Sequence, residues 1–249
     1  MAWHLLDPPR TEAAFAAALP LHGLDAWRIY LGLPMTGLRP PLGGWDELMR
    51  LGYEDAVLNL WMPVIYGAVE EFSPAFAALR RQLGFDPGPV GVLGGSIGAA
   101  VVQLVLAEGE LALGAAVLVS PLVQLRRTVE AMARHFGISY PWSDESNTVA
   151  DRLDFVARAG EIARQSRPAV LLIVGEHDDP GFREPAAELA AALKKRYASE
   201  DRVQLVTVPN MAHALAEEPG TGPAPQTPHA AVVDRHAVQW FQRYLTHRQ

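Results

Sequence analysis

Gly94-Gly95-Ser96-Ile97-Gly98 follows directly on the apolar run Pro89-Val90-Gly91-Val92-Leu93 and runs directly into Ala99-Ala100-Val101-Val102-Gln103-Leu104-Val105-Leu106. A short buried strand, a five-residue turn and an apolar helix leave the chain few options. It must reverse at the serine and lay the helix back against the strand. Such a turn holds Ser96 in a strained backbone conformation, and Cβ atoms at the flanking glycine positions would collide with the neighbouring chain. It also aims the unpaired N–H groups of the first helical turn at the serine, where a developing oxyanion can be held. Serine is a favoured helix N-cap as well, so a purely structural role for Ser96 stands beside the catalytic one.

The rest of the chain alternates strand with helix. Short β-rich runs occupy residues 27–31, 56–60, 90–93, 115–119, 170–174 and 203–208. Several are apolar throughout, as in parallel strands covered on both faces. Helical patterns at 66–83, 97–107, 182–197 and 232–245 lie between and after them, the last with Val233, Ala237, Trp240, Phe241 and Tyr244 at helical spacing. This order predicts an α/β fold with a mostly parallel, doubly wound sheet and right-handed crossovers. Residues 1–6 can supply one short strand, and 12–19 read as an alanine-rich helix. Between 119 and 170 the connection exceeds a plain crossover. Residues 121–167 are expected to form a small helical cap within one domain spanning 1–249, the alternative being ordinary crossover packing with an extra helix. Residues 34–45 and 218–228 read as irregular, the latter exposed and mobile.

Composition removes several classes of function. The net charge of −7 and the absence of a basic run longer than Lys194-Lys195-Arg196 argue against a nucleic-acid surface. Without cysteine there is no disulfide, thiolate nucleophile or zinc–thiolate site. No apolar stretch is long enough to span a membrane, and the first ten residues lack the pattern of a secretory signal, so a cytoplasmic protein is expected. The glycines at 91–98 miss the G-x-G-x-x-G register of a dinucleotide loop at every start. His177-Asp178-Asp179 are consecutive and diverge after a strand, so no metal site is expected there, and no cofactor is called for. Nothing in the residue pattern speaks to an oligomeric partner.

A serine hydroxyl needs a base to take its proton and an acid to orient that base. Candidate acids follow the strand at 170–174, in Gly175-Glu176-His177-Asp178-Asp179-Pro180. The candidate base is His213, in Val208-Pro209-Asn210-Met211-Ala212-His213, again just past a strand. Polar residues beyond the carboxyl ends of separate strands share the edge at which open α/β sheets place their sites.

With these motifs the chain resembles an α/β-hydrolase of the esterase/lipase-like branch, from about residue 27 to the end. The resemblance implies that Ser96 is the nucleophile, His213 the general base and Asp178 the orienting acid. Asp178 is selected over Asp179 because the family's acid commonly sits three residues beyond the glycine that ends the strand. It further implies an oxyanion hole from two backbone N–H groups. One belongs to Ile97; the other comes from the loop Tyr30-Leu31-Gly32-Leu33-Pro34-Met35, where Pro34 has no N–H and Leu33 is the better donor, with Met35 in reserve. Leu31 stands where family members often carry a histidine, and only about two dozen residues precede 27, so a compact version of the fold is expected.

The activity expected on this basis is hydrolysis of a small-molecule carboxylic ester through an acyl-enzyme. Met35, Phe136 and Trp142 are candidate pocket residues. The apolar residues Leu122, Val123, Leu125, Phe136, Ile138 and Trp142 of segment 121–167 favour a small to medium uncharged acyl or alcohol group. Thioester hydrolysis fits the same motif, and so does amide or peptide hydrolysis. The chain is similar in part to prolyl-oligopeptidase-like relatives, although these usually carry a further large domain. A non-catalytic binding protein on this fold is the rival from another class.

Overall fold

The computed structural model describes residues 1–85, 88–135, 137–164 and 167–245. In chain order the elements are β1 (Ala2–Trp3), α1 (Glu12–Ala18), β2 (Tyr30–Leu31), α2 (Gly44–Glu54), α3 (Met62–Leu83), β3 (Val90–Gly95), α4 (Ile97–Glu108), β4 (Leu113–Val119), α5 (Leu125–His135), α6 (Asp144–Arg152), α7 (Ala159–Ile162), β5 (Ala169–Gly175), α8 (Pro180–Lys194), β6 (Val203–Val208) and α9 (Pro228–Tyr244). The strands form one six-stranded sheet in the order β2-β1-β3-β4-β5-β6, and each neighbouring pair runs parallel.

Helices cover both faces of this sheet, and strand periodicity decides which side chain meets which layer. Along β4, Ala116 and Leu118 join one core cluster with α3, α4, α5, α7 and α8, while Ala115, Val117 and Val119 join a second with α1 and α9. Both faces being dry explains why β4 and β5 read as continuous apolar runs. Helix α4 is buried along its whole length up to Ala107, so it is apolar on every side and has no polar stripe. The one long polar residue of this buried stretch, Gln103, donates from Nε2 to the carbonyls of Ala99 and Leu122 (2.9 and 2.8 Å), which ties the helix to the segment after β4.

Two of the six expected strands are corrected. Residues 56–60 form no strand; Ala56–Trp61 is a π-helical turn leading into α3. The cause is Asp55, whose carboxylate accepts hydrogen bonds from the N–H groups of Val57 and Leu58 (3.0 and 2.8 Å) and so starts a helix where apolar content alone suggests a strand. The run at 27–31 shrinks to Tyr30–Leu31. Its place inside the sheet goes to β1, which pairs with both β2 and β3 through Ala2↔Tyr30 and Ala2↔Leu93. Residues 34–45 are irregular until α2 begins at Gly44, a helix that the glycine and proline content of this stretch hides.

Between β4 and β5 lie α5, α6 and α7, and an isolated antiparallel bridge pairs Gln124 with Asp154. Leu122, Val123, Leu125, Val149, Phe155 and Ile162 from this stretch belong to the main core cluster. Among the described residues no helix is long and apolar enough to cross a membrane.

The amino-terminal segment is part of the core. Phe15 on α1 is fully buried and meets the ring of Tyr30 edge-on at 6.3 Å. Phe15→Ala is expected to cost about 3–5 kcal/mol. Denaturant titration checks this as a lower unfolding midpoint at unchanged m-value.

Candidate active site

The carboxyl ends of β3, β5 and β6 converge because backbone pairing continues past the strands. Ser96 N–H donates to the Val119 carbonyl (2.9 Å), Ser120 N–H to Ile173 (2.7 Å), Glu176 N–H to Val208 (3.0 Å) and His177 N–H to Met211 (2.8 Å). Ser96 itself has φ 49° and ψ −112°, a conformation that L-residues avoid. Its carbonyl accepts from Ala99, Ala100 and Leu122, which holds the turn. The close approach around it requires glycine. A Cβ on Gly98 would lie 2.5 Å from the carbonyl oxygen of Trp3 and 2.6 Å from that of His4. The acid turn is equally tight, since a Cβ on Gly175 would lie 2.2 Å from the Met211 oxygen.

These loops bring Ser96, His213 and Asp178 into one hydrogen-bonded chain. His213 Nε2 is 2.9 Å from Ser96 Oγ, and Nδ1 is 2.9 and 3.1 Å from the two carboxylate oxygens of Asp178. A carboxylate can only accept, so Nδ1 carries the proton and Nε2 is left to accept from the serine hydroxyl. Ser96 and Asp178 are each 3 % exposed, so water competes little for these bonds. Asp178 also accepts from the N–H of Asp179 (2.8 Å), and Arg183 Nε donates to the Asp178 carbonyl (2.8 Å). The neighbouring acid is engaged otherwise. Asp179 is the N-cap of α8 and accepts from Gly181 N–H.

Three side chains beyond this trio face the imidazole. Phe182, in the first turn of α8, packs against it with ring centroids 4.3 Å apart. Asp7 places Oδ2 3.7 Å from Nε2, and Asp179 acts at longer range. Burial pulls the pKa of His213 down, but the Asp178 hydrogen bond and charge, with Asp7 and Asp179, outweigh it and leave the ring above its ordinary value. Neither Phe182 nor Asp7 stands out in the sequence. The Asp179-Pro180 helix start could have placed Phe182 near the acid turn, whereas Asp7 comes from the far end of the chain with no local pattern to mark it.

Ile97 opens α4 and Leu33 follows β2; both are fully buried in the same core cluster. The Leu33 loop is tied down by Thr36, whose N–H and hydroxyl both donate to the Leu33 carbonyl (3.4 and 3.2 Å), and by Arg39 donating to Gly32. Met35 sits in this turn at φ 62°. Thr36 Oγ1 also lies 3.5 Å from the buried His4 ring, and the His4 carbonyl abuts Gly98, which connects this loop to the elbow. Trp142 meets Tyr140 edge-on at 4.7 Å and lies under the Arg126 guanidinium at 4.3 Å. Phe136 lies outside the described residues. Leu122, Val123 and Leu125 are fully buried core, and Ile138 is exposed.

A cavity of about 720 Å³ lies elsewhere, at the amino ends of the strands, lined by Trp27, Phe76, Phe85 and Phe241 among others, and none of Ser96, Asp178 and His213 borders it. Among the described residues no group of three or more His, Asp or Glu is placed to hold a metal ion.

Comparison with known proteins agrees with this arrangement at the level of fold and family. No curated protein sequence matches the chain. The protein TT1662 of Thermus thermophilus is similar in structure over 99% of this chain and 88% of its own, with a TM-score of 0.67 at 17% identity. A puromycin-hydrolyzing peptidase of Mycobacterium tuberculosis aligns over 72% of this chain and 26% of its own (TM-score 0.52, 18% identity). Porphyromonas gingivalis dipeptidyl peptidase 4 aligns over 72% and 23% (TM-score 0.51, 13% identity). This chain thus spans about a quarter of the length of either peptidase. The family model described as the prolyl oligopeptidase family matches residues 66–248, which is most of the sequence. With its parallel α/β sheet, the chain belongs to the prolyl oligopeptidase family of α/β-hydrolases and is a serine hydrolase.

Proposed function

We propose that this chain hydrolyses carboxylic esters through an acyl-enzyme on Ser96. The reading rests on the unbroken hydrogen-bonded chain from Ser96 Oγ through His213 to Asp178 at a strained strand-to-helix turn. In this scheme His213 Nε2 takes the hydroxyl proton as Oγ attacks the acyl carbon, and Asp178 stabilises the imidazolium. The N–H groups of Ile97 and Leu33 hold the oxyanion, each contributing about 3 kcal/mol to lowering the barrier. The tetrahedral species collapses, the C–O bond breaks, and the alcohol departs with the proton from His213. Water, deprotonated by the same ring, then attacks acyl-Ser96 and releases the acid. Met35, two residues beyond Leu33, borders the acyl side, and Trp142 contributes to the rim.

Chemistry favours the ester as the minimal substrate. An alkoxide leaves more readily than an amide anion, so a serine site able to open an amide also opens the corresponding ester. Hydrolysis of an aminoacyl amide or peptide is the second reading, supported by the family to which the chain belongs. A panel of ester, thioester and aminoacyl-amide substrates of one acyl group ranks these readings by kcat/KM.

A fluorophosphonate probe should form an adduct that Ser96→Ala abolishes; a wild-type protein that forms no adduct contradicts Ser96 as the nucleophile and supports the binding-protein reading. Asp178→Asn should lower kcat by about ten-thousandfold, because the imidazole loses the partner that sets its tautomer. Asp179→Asn should change kcat far less, since asparagine caps a helix about as well as aspartate. Equal small losses in the two variants contradict the assignment. Because neutral His213 is the base and its pKa is raised, kcat/KM should climb with pH along a limb centred above 6.5. A limb at or below that value is inconsistent with the site.

A further inference from the structure

Asp7 is a carboxylate at the site that, among the described residues, caps no helix. Its Oδ2 is 3.7 Å from His213 Nε2, its side chain is 55% exposed, and among the described residues His213 is its one ionic partner. Asp178 and Asp179, the other carboxylates facing the ring, are bound to Nδ1 and to the α8 N-terminus. The nearest cation along the chain is already paired, since Arg10 holds both carboxylate oxygens of Glu218 (2.8 and 3.0 Å) and lies over the Trp45 ring.

The backbone fixes Asp7 in place. Arg10 Nε donates to the carbonyl of Leu6 on one side (3.0 Å). On the other, the N–H groups of Leu215 and Ala216 donate to the carbonyl of Pro8 (2.9 and 3.3 Å). The segment carrying Asp7 is therefore bonded to the loop that carries His213, and the carboxylate keeps its station beside Nε2.

Nε2 is the atom that hands its proton to the leaving group, so the leaving heteroatom must come within about 3 Å of it. With Asp7 Oδ2 3.7 Å from the same nitrogen, the carboxylate lies no farther than about 7 Å from that heteroatom. We propose that Asp7 is a specificity-determining residue that selects substrates whose leaving group carries a cationic centre, such as an ammonium two or three bonds beyond the leaving oxygen. This deepens the proposed function and rests on Ser96 as the nucleophile. It also revises the uncharged alcohol expected from segment 121–167, where Leu122, Val123 and Leu125 are core rather than rim.

The test uses two phosphonylating agents that differ in one atom of the leaving group. One releases thiocholine; the other releases 3,3-dimethylbutanethiol, of the same shape but neutral. In both, Ser96 Oγ forms the bond to phosphorus, the P–S bond breaks, and the thiol takes the proton from His213. The readout is the ratio of the two second-order labelling rates, from which any shared effect on folding or on the His213 titration cancels. The wild-type chain should favour the cationic agent by about fivefold, an exposed carboxylate–ammonium contribution, and the preference should shrink in high salt. Asp7→Asn should remove it, Asp7→Glu should retain it, and Asp7→Lys should reverse it. Labelling by both agents at a ratio that these variants leave unchanged overturns the role of Asp7 alone. Failure of both agents to label the wild-type chain overturns the nucleophile, and this proposal with it.

Discussion

The strained turn at Ser96 is the constraint on which the rest of the site depends. A φ of 49° at a residue with a Cβ is unfavourable by about 1–3 kcal/mol and persists where its surroundings leave no alternative. Here the Ser96 N–H is held by Val119, and its carbonyl accepts from Ala99, Ala100 and Leu122. Behind it Gly98 lies so close to the end of β1 that even a methyl group would meet two carbonyl oxygens. The strand of two residues thus matters out of proportion to its length. It fills the sheet between β2 and β3 and forms the floor against which the elbow is folded.

Electrostatics follow from the same convergence. Three carboxylates, from Asp178, Asp7 and Asp179, surround one imidazole, and their combined effect exceeds the desolvation of the ring. They are not equivalent. Asp178 is buried and hydrogen-bonded to Nδ1, Asp179 caps a helix, and Asp7 faces solvent beside Nε2. One charge sets the tautomer, one starts α8 and so positions Phe182 against the ring, and one stands exposed beside Nε2.

Much of the fold is legible in the residues. The runs at 90–93, 115–119, 170–174 and 203–208 are strands; 115–119 and 170–174 are buried throughout and so apolar without interruption, whereas 203–208 at the sheet edge exposes Gln204 and Thr207. The helices at 66–83, 97–107, 182–197 and 232–245 appear within a few residues of their expected ends. The reading fails at 56–60, where composition suits a strand but the Asp55 carboxylate starts a helix, a choice made by two hydrogen bonds rather than by hydropathy. The short strand read within residues 1–6 is present as Ala2–Trp3, but its place inside the sheet between β2 and β3 is not legible, since so short a segment has no periodicity of its own.

The sequence by itself determined the chemistry available: a serine at a strand-to-helix turn, with acids and a histidine following later strands, in an order set by local pattern. Only the tertiary structure decided which groups meet. It put Asp178 against His213 and Asp179 at a helix start, although the two are adjacent in the chain. It brought Asp7 and Phe182 to the same ring from opposite parts of the molecule. The reason is physical. Local backbone preferences act over a few residues, whereas the position of a charge beside an imidazole depends on how strands stack and loops cross.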